Sequence, residues 1–214
     1  MIPTPSLRQL TRPDLDRAIE VESLAFQEDP LWRYLIANPA RRLEAARRFQ
    51  RPFFRVALER GRLFGVGDPL AGVAIWSKPG EADAGFAVLA RAGFLRTLLS
   101  PLAPAFFRAG PIFGQFGRMQ RQYAPQPHYY LNTIAILPEA QGQGLASYLI
   151  RPFLARADRE HVAAYTETMT PSNVPLYEHY GFRCQEEYRV PNTTLSIWSF
   201  YRPPADEPHR EGVA

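Results

Sequence analysis

Two glycines, Gly142 and Gly144, lie between a β-rich run that ends at Pro138 and a segment with helical periodicity. Glycine lets the backbone approach a ligand closely. The free N–H groups at the start of a helix, together with its positive dipole end, attract an anion. The spacing therefore predicts a site for a phosphate or pyrophosphate group on this turn. A glycine-rich turn that starts a helix and binds nothing is the alternative.

The residues around the glycines narrow the class of phosphate ligand. A Walker loop for nucleoside triphosphates needs a lysine directly after its last glycine, and the one lysine, Lys78, is far from this turn. A nicotinamide-dinucleotide fingerprint fits in part, because Gly142-x-Gly144 is present and Glu167 follows at about the required distance. Its third glycine position holds Ser147, and the chain from residue 128 onward is too short for a full doubly wound domain.

A second pattern lies downstream, where Asn173, Tyr177, Gly181 and Phe182 are spaced as N-x-x-x-Y-x-x-x-G-F. The pattern covers a predicted short helix that Gly181 closes. A tyrosine is suited to protonating a leaving group, because its unperturbed pKa of about 10 keeps it protonated at neutral pH. A core aromatic residue on a short helix is the structural alternative for Tyr177.

Composition and charge exclude several classes of protein. Of the 214 residues, 46% are hydrophobic and 21% are charged, as in globular proteins with a substantial core. The net charge of +4 comes from arginine spread along the chain, including a predicted solvated helix face at 41–60, so no nucleic-acid partner is expected. No apolar run is long enough for a signal peptide or a membrane span, which predicts a soluble, cytoplasmic protein without a membrane partner.

Cysteine and histidine usage argues against disulfides and metal centres. The lone Cys184 excludes an internal disulfide framework and a cysteine-based zinc cluster, and it is expected to be a buried structural thiol. His161, His179 and His209 show no metal-ligand spacing with one another or with carboxylates. No metal site is therefore predicted.

The hydrophobic pattern predicts one domain over 1–202 and a flexible tail over 203–214. The T-x-x-D spacing of Thr11 and Asp14 predicts a capping box before the first helix. Predicted helices cover 14–26, 41–60, 142–158 and 173–180. Predicted strands cover 63–66, 71–77, 128–137, 162–169, 182–190 and 194–201. A helical insertion broken by Pro101, Pro104 and Pro111 is predicted over 81–126.

Taken in order, the two motifs resemble those of the GNAT N-acetyltransferases. The acetyl-CoA motif of that family is Q/R-x-x-G-x-G/A at a strand-to-helix junction, which the sequence from Gln141 to Ala146 satisfies. The downstream N-x-x-x-Y-x-x-x-G-F pattern is the second mark of the family. The resemblance covers most of the chain. Its layout is most similar to the puromycin N-acetyltransferases, with a similar strand at 74–76, an inserted helical stretch and Pro152 inside the motif helix.

The resemblance implies an α/β (α+β) fold with a mixed, mostly antiparallel sheet of about six to seven strands, flanked by helices. The sheet would splay between the strands at 128–137 and 162–169. The pantetheine arm of acetyl-CoA would lie in that gap, and its pyrophosphate would rest on the glycine turn. The cofactor-binding residues implied are Ile134, Ala135, Ile136, Gln141, Gly142, Gln143, Gly144, Leu145, Ala146, Asn173 and Tyr177.

The reaction implied is direct attack by a neutral amine on the acetyl thioester in a ternary complex. Tyr177 would protonate the departing thiolate, and the backbone N–H of Ile136 would meet the carbonyl oxygen if the strand is bulged there. Many family members deprotonate the amine with a glutamate on the strand before the glycine turn, but 128–137 contains no carboxylate. Glu167, directly or through water, is the first substitute and His128 the second. A structural role is the alternative for Glu167.

Asn173 is expected to contact the cofactor or to cap the helix that presents Tyr177. The insertion and the helices at 30–60 are expected to wall the acceptor side, which suits the primary amine of a small molecule. The protein is expected to be a monomer or a homodimer. Two other functions stay open: a non-catalytic acyl-CoA-binding module, because the strand glutamate is missing, and a nicotinamide-dependent oxidoreductase.

Overall fold

Seven strands form one sheet within residues 6–81 and 85–205, the part of the chain that the computed structural model describes. The strands are β1 (Arg8–Gln9), β2 (Leu63–Val66), β3 (Gly72–Ser77), β4 (His128–Ile136), β5 (Ala163–Thr168), β6 (Arg183–Arg189) and β7 (Ser196–Arg202). Their spatial order is β1-β2-β3-β4-β5-β7-β6. The β4–β5 pair is parallel and the other described pairs are antiparallel. This confirms the mixed, mostly antiparallel sheet.

Helices connect and cover the strands. They are α1 (Leu15–Ala25), α2 (Pro30–Leu35), α3 (Pro39–Glu59), α4 (Phe86–Leu89), α5 (Leu95–Leu98), α6 (Ala103–Tyr123), α7 (Leu145–Arg159) and α8 (Val174–His179). A π-helical segment, Ala90–Phe94, joins α4 to α5. Short 3-10 turns precede α1 (Arg12–Asp14), α7 (Pro138–Ala140) and α8 (Pro171–Asn173). Residues 82–84 of the predicted insertion and 206–214 of the predicted tail lie outside the described residues.

The capping box predicted at the start of α1 is present. The backbone N–H and the hydroxyl of Thr11 donate to Asp14 Oδ2 at 2.9 and 3.0 Å. The Arg8 guanidinium binds the same carboxylate at 2.8 Å and holds the pKa of Asp14 well below its usual range. These contacts fix the point at which the chain leaves β1 and enters the first helix.

Different helices pack on the two faces of the sheet. The neighbouring residues Ile75 and Trp76 of β3 show this difference. The Trp76 ring stacks on Phe153 of α7 at 4.9 Å, and its indole N–H donates to the Leu149 carbonyl at 2.9 Å. Side chains alternate along a strand, so Ile75 faces the other side, where it lines a cavity with residues of α1, α3 and α6. The sheet therefore separates an α7–α8 layer from an α1–α3–α6 layer.

Three local features differ from the sequence-based expectations. Helix α2 was not predicted, because six residues are too few for a periodic pattern, although Asp29 caps it and Pro30 begins it. Helix α6 runs through Pro111, whose neighbours Ala109 and Ile112 are buried, so packing outweighs the lost helical hydrogen bond. Cys184 is exposed rather than buried, because its strand β6 lies at the edge of the sheet.

The arginine-rich helix α3 is not a uniformly solvated face. Arg42 is buried, and its guanidinium lies 2.6 Å from Glu28. Arg47 binds Glu20 of α1 at 2.6 Å, which ties the two helices together. No helix among residues 6–81 and 85–205 is both long enough and apolar enough to cross a bilayer.

Candidate active site

The sheet splits between β4 and β5. The parallel ladder begins at the pair His128 and Ala163 and ends at the pair Leu131 and Thr166, whereas β4 continues to Ile136. The Thr166 hydroxyl donates to the Leu131 carbonyl at 3.0 Å and closes the ladder at this point. The gap predicted between these two strands is therefore present and starts after Leu131.

The open edge of β4 exposes alternate backbone groups to the gap. The N–H of Leu137 donates to the Ala71 carbonyl beside β3 at 2.9 Å. Backbone direction alternates along a strand, so the groups of Ala135 also face β3 and those of Ile134 and Ile136 face the gap. The Gln141 amide donates to the Ile136 carbonyl at 3.2 Å, which joins the edge to the glycine turn. Ile134 and Ile136 thus have the backbone orientation that a pantetheine arm needs, and Ala135 does not.

The bulge in β4 lies at Asn132 and not at Ile136. Thr133 pairs with Ile75 and Leu131 pairs with the next residue of β3, so Asn132 is the extra residue, whereas Ile136 pairs in regular register. The Asn132 amide donates to Ser77 Oγ at 3.1 Å and thereby holds the bulge. The irregular backbone therefore adjoins the end of the β4–β5 ladder, several residues before the predicted position.

The glycine turn has the conformation that its sequence requires. Gly142 and Gly144 have φ angles of +74° and +76°, which other residues rarely adopt. Among the described residues, no side chain caps α7 at Gly144, and a Cβ built at either glycine would meet no atom within 4 Å. Open space in front of uncapped N–H groups fits a diphosphate, as in acetyl-CoA.

Tyr177 lies on α8 and is brought to the start of the gap. Its ring is 3% exposed and packs against Phe182 and Phe200. Burial raises the pKa of Tyr177 to about 12, against the lowering effect of a hydrogen bond with Thr166. Because Thr166 also closes the ladder, the phenol lies where β4 and β5 separate. It is a proton donor throughout the neutral range.

Glu167 lies on the face of β5 opposite to that of Thr166, because the two residues are neighbours on a strand. Its Oε2 accepts a hydrogen bond from the Tyr130 hydroxyl at 2.8 Å. Glu167 and Tyr177 line one cavity, and the charge of Glu167 raises the pKa of Tyr177. The structure therefore brings both predicted catalytic side chains to the gap from its two sides.

His128 lies apart from these groups. Its ring nitrogens contact the Gln126 carbonyl at 2.7 Å and the Gln120 amide at 3.1 Å. It lines a separate groove together with Lys78, at the opposite end of β4 from the glycine turn. The second candidate for the base is thus not brought together with Tyr177.

Asn173 lines the cavity but does not cap α8 with its side chain. Its amide donates to Thr168 Oγ1 at 3.3 Å, and no side-chain cap bond forms at this helix start within the described chain. The capping interpretation is therefore wrong. The cofactor contact stays a prediction.

A cavity of about 600 Å³ extends from the gap into the α1–α3–α6 layer. Its lining includes a group of aromatic rings in that layer. The rings in this wall belong to Phe26, Trp32, Phe49, Phe53, Phe54, Phe113 and Phe116. Helix α3 and the insertion helix α6 supply most of them, as expected for the acceptor side.

Two acidic residues of the cavity wall, Glu22 and Asp29, were not predicted from the sequence. Asp29 accepts from the Thr170 hydroxyl at 2.7 Å and from the Leu31 N–H at 2.9 Å, and burial raises its pKa. Glu22 follows Ala18 by one helical turn on the buried stripe of α1. An acidic residue on an otherwise apolar stripe is the sequence feature that could have indicated its place in the cavity. No three His, Cys, Asp or Glu side chains of the described ranges group as a metal site.

Part of the chain is similar to known acetyltransferases. Residues 102–195 match the model of the acetyltransferase (GNAT) domain. An uncharacterised N-acetyltransferase of Schizosaccharomyces pombe is 29% identical over 131 residues, which are 59% of this chain and 53% of the relative. The chain thus spans about half of the length of that relative.

Solved structures share the fold. An acetyltransferase of Corynebacterium glutamicum, described as histone acetyltransferase HPA2 and related acetyltransferase, has a TM-score of 0.62 at 22% identity, covering 96% of this chain and 98% of its own. Arylalkylamine N-acetyltransferase 2 of Aedes aegypti has a TM-score of 0.59 at 15% identity, covering 93% and 98%. Residues 102–195 of the chain therefore resemble the acetyltransferase (GNAT) domain, and members of that family use acetyl-CoA as co-substrate.

Proposed function

We propose that the chain is an N-acetyltransferase that moves the acetyl group of acetyl-CoA to a primary amine of a small molecule, by direct attack in a ternary complex. The observation that carries the proposal is the single cavity that joins the gap between β4 and β5 to an aromatic chamber. Two substrates can meet in such a cavity without leaving the protein. Tyr177 and Glu167 both lie in its wall.

The residues of the gap and the turn would hold the cofactor. The N–H groups from Gln143 to Ala146 would contact the pyrophosphate, and the backbone of Ile134 and Ile136 would bind the pantetheine arm. Bound acetyl-CoA supplies an acetyl thioester. The bulge at Asn132, next to Leu131 and Thr166, is better placed than Ile136 to offer an N–H to the carbonyl oxygen.

Two side chains would move protons. Glu167 would accept the proton of the acceptor amine, because an ammonium group has no lone pair with which to attack. Its Oε2 is oriented by the Tyr130 hydroxyl at 2.8 Å. Tyr177 would donate its proton to the thiolate sulfur, and its pKa of about 12 keeps the phenol protonated until it is needed.

A small-molecule acceptor is supported by the shape and lining of the chamber. A volume of about 600 Å³ is typical of sites that enclose a small ligand, and its aromatic walls suit an apolar body. The Aedes aegypti neighbour is named an arylalkylamine N-acetyltransferase. The closer resemblance to the puromycin N-acetyltransferases, the cytoplasmic location and the monomer or homodimer state stay predictions.

Thermal unfolding of the purified protein with acetyl-CoA, and separately with NADH, tests the proposal first. A ligand at 100 times its Kd adds about 2.7 kcal/mol, which raises the midpoint by roughly 5–10 °C for a domain of this size. We expect a rise with acetyl-CoA and none with NADH. Release of free thiol with a panel of primary amines is the second step.

The same measurements separate the alternatives. A rise with acetyl-CoA without thiol release for any amine would favour an acyl-CoA-binding module. A rise with NADH alone would favour the oxidoreductase. No rise with acetyl-CoA would contradict the interpretation of the glycine turn, and the roles of Tyr177 and Glu167 would fall with it.

A further inference from the structure

One carboxyl group of the cavity wall has no role in the chemistry proposed above. Glu22 of α1 is 1% exposed and lines the cavity beside Phe26 and Phe54. One of its oxygens, Oε1, accepts a hydrogen bond from the Gln50 amide of α3. The other, Oε2, has no hydrogen-bond partner among the described residues.

No opposite charge among the described residues stabilises the ionised form of Glu22. Burial raises the pKa of Glu22 well above its usual value, and the like charge of Asp29 raises it further. Both oxygens of Asp29 are already engaged, by Thr170 and by Leu31. These surroundings favour the protonated form of the Glu22 carboxyl, and a cationic ligand at its spare oxygen would favour the carboxylate form.

The two arginines of the cavity wall do not supply that cation. Arg62 is engaged by Ser77 at 3.2 Å and by Glu81 at 2.9 Å, on the β3 side of the cavity. Arg60 also lines the cavity, and neither arginine lowers the pKa of Glu22. Oε2 of Glu22 is therefore an acceptor in the cavity wall that a ligand N–H could fill.

Aromatic rings surround this site. Glu22 shares the cavity wall with Phe26, Phe49, Phe53 and Phe54. Aromatic faces attract cations, and aromatic walls bury an apolar body. A ligand that combines one positive charge with a flat or apolar body would satisfy both features of the chamber.

We propose that Glu22 receives the ammonium group of the acceptor, so that the acceptor class is a protonated primary amine on an aromatic or other apolar body. This inference rests on the proposed acetyl transfer and names its substrate class. Glu22 is then a specificity-determining residue that binds the incoming cation. Removal of the amine proton stays with Glu167 and protonation of the thiolate with Tyr177.

Glu22→Gln tests the inference with two isomeric substrates. Phenethylamine is an ammonium ion at pH 7, whereas para-ethylaniline is neutral and has the same atoms. We expect the variant to raise KM for phenethylamine by about tenfold or more with kcat nearly kept, and to leave KM for para-ethylaniline within about twofold. Glu20→Gln is the matched control, because Glu20 lies on the same helix, binds Arg47 and is outside the cavity lining.

The outcomes distinguish this inference from the proposed function. An equal loss for both substrates, or no loss for phenethylamine, overturns the role of Glu22 while acetyl transfer by the parent protein stands. A fall in kcat with KM unchanged assigns Glu22 to proton transfer and overturns the docking role. If the parent transfers no acetyl group to any amine, the proposed function itself fails.

A measurement on the parent protein covers the case in which Glu22→Gln does not fold. Phenethylamine and phenylethanol differ in the cationic group, and their binding can be compared by the rise in unfolding midpoint. We expect a larger rise with phenethylamine at equal concentration. Equal rises would overturn the inference.

Discussion

The proposed cofactor side and the proposed acceptor side of the candidate active site are built in different ways. The cofactor side is one stretch of chain, from the open edge of β4 through Gly142 and Gly144 into α7, together with Tyr177 on α8. The acceptor chamber takes its wall from helices α1, α3 and α6, which are far apart in the sequence. The first side is formed mainly by backbone groups in a particular conformation, and the second side is formed mainly by packed side chains.

This difference has a consequence for mutation. A site formed by backbone groups depends on a few positions that require one residue type, here glycine. A single substitution at such a position can therefore abolish binding. A chamber lined by many rings shares its energy among them, so a single change shifts affinity and leaves the reaction intact. Mutations on the two sides should therefore differ in which substrate they affect and by how much.

The largest effect is expected from Gly144→Asp on the cofactor side. The new carboxylate would occupy the open space before the N-terminus of α7 and repel a diphosphate, so the acetyl-CoA-dependent rise in unfolding midpoint should vanish. Acetyl transfer should fall by at least about 100-fold. Gly80→Asp is the matched control, because Gly80 has the same φ of +76° and equally open surroundings. A retained acetyl-CoA shift in Gly144→Asp would contradict the assignment.

Tyr177→Phe is expected to lower kcat by about 100-fold while KM for acetyl-CoA stays nearly unchanged, because it removes a proton donor and keeps the ring. The pKa of about 12 means that the phenol keeps its proton at pH values where an ordinary tyrosine begins to lose it. The kcat of the parent should therefore not fall through Tyr177 between about pH 7 and pH 10. Tyr188→Phe on β6 is the control; turnover equal to the parent in Tyr177→Phe would remove the phenol from the mechanism.

Glu167→Gln is expected to lower kcat by about tenfold at neutral pH, a smaller effect because water can take the amine proton in its place. The deficit should shrink as the pH rises, since more of the free amine is then neutral. Initial rates with one amine across the pH range measure it. A deficit that is constant with pH would indicate that Glu167 acts through structure, by its bond to Tyr130.

The smallest effect is expected from Phe53→Ala on the acceptor side. Phe53 is half-buried and packs against Phe49 and Phe94, with ring centroids 5.0 and 5.7 Å apart. Its loss should raise KM for an aromatic amine by about three- to tenfold and leave KM for acetyl-CoA unchanged, because one of several rings is removed. Phe64→Ala on β2, which packs on Phe153 outside the cavity, is the control. A comparable rise of KM for the amine and KM for acetyl-CoA would contradict the separate roles of the two sides.

Most strands and long helices could be predicted from the sequence, and the reasons are local. The hairpin of β2 and β3 followed from two apolar runs around a Gly-Asp-Pro turn, and α1 followed from the capping box at Thr11 and Asp14. The elements that were missed are short, β1 with 2 residues and α2 with 6. Short elements show no periodicity, and their formation depends on the neighbours on which they pack.

The site shows the same division. The conformation of the glycine turn was predictable because Gly142 and Gly144 encode their own positive φ angles. The bulge was expected near Ile136 and lies at Asn132, because its position depends on the register with β3 and on the Ser77 contact. The place of the alternative base His128 also depended on packing. Its ring lines the groove that holds Lys78, and its centroid lies 6.3 Å from the ring of Tyr130, which donates to Glu167.

The sequence by itself determined the GNAT-like sheet, the glycine turn before α7, and a tyrosine at a fixed distance beyond it. These features depend on the backbone conformation of consecutive residues, which their own side chains set. Tertiary structure alone decided that Glu22 and Asp29 enter the cavity, that Glu167 and Tyr177 approach the gap from opposite sides, and that Phe rings from α3 and α6 form one wall. Such contacts join residues many positions apart, and their distances are fixed only when the helices pack on the sheet.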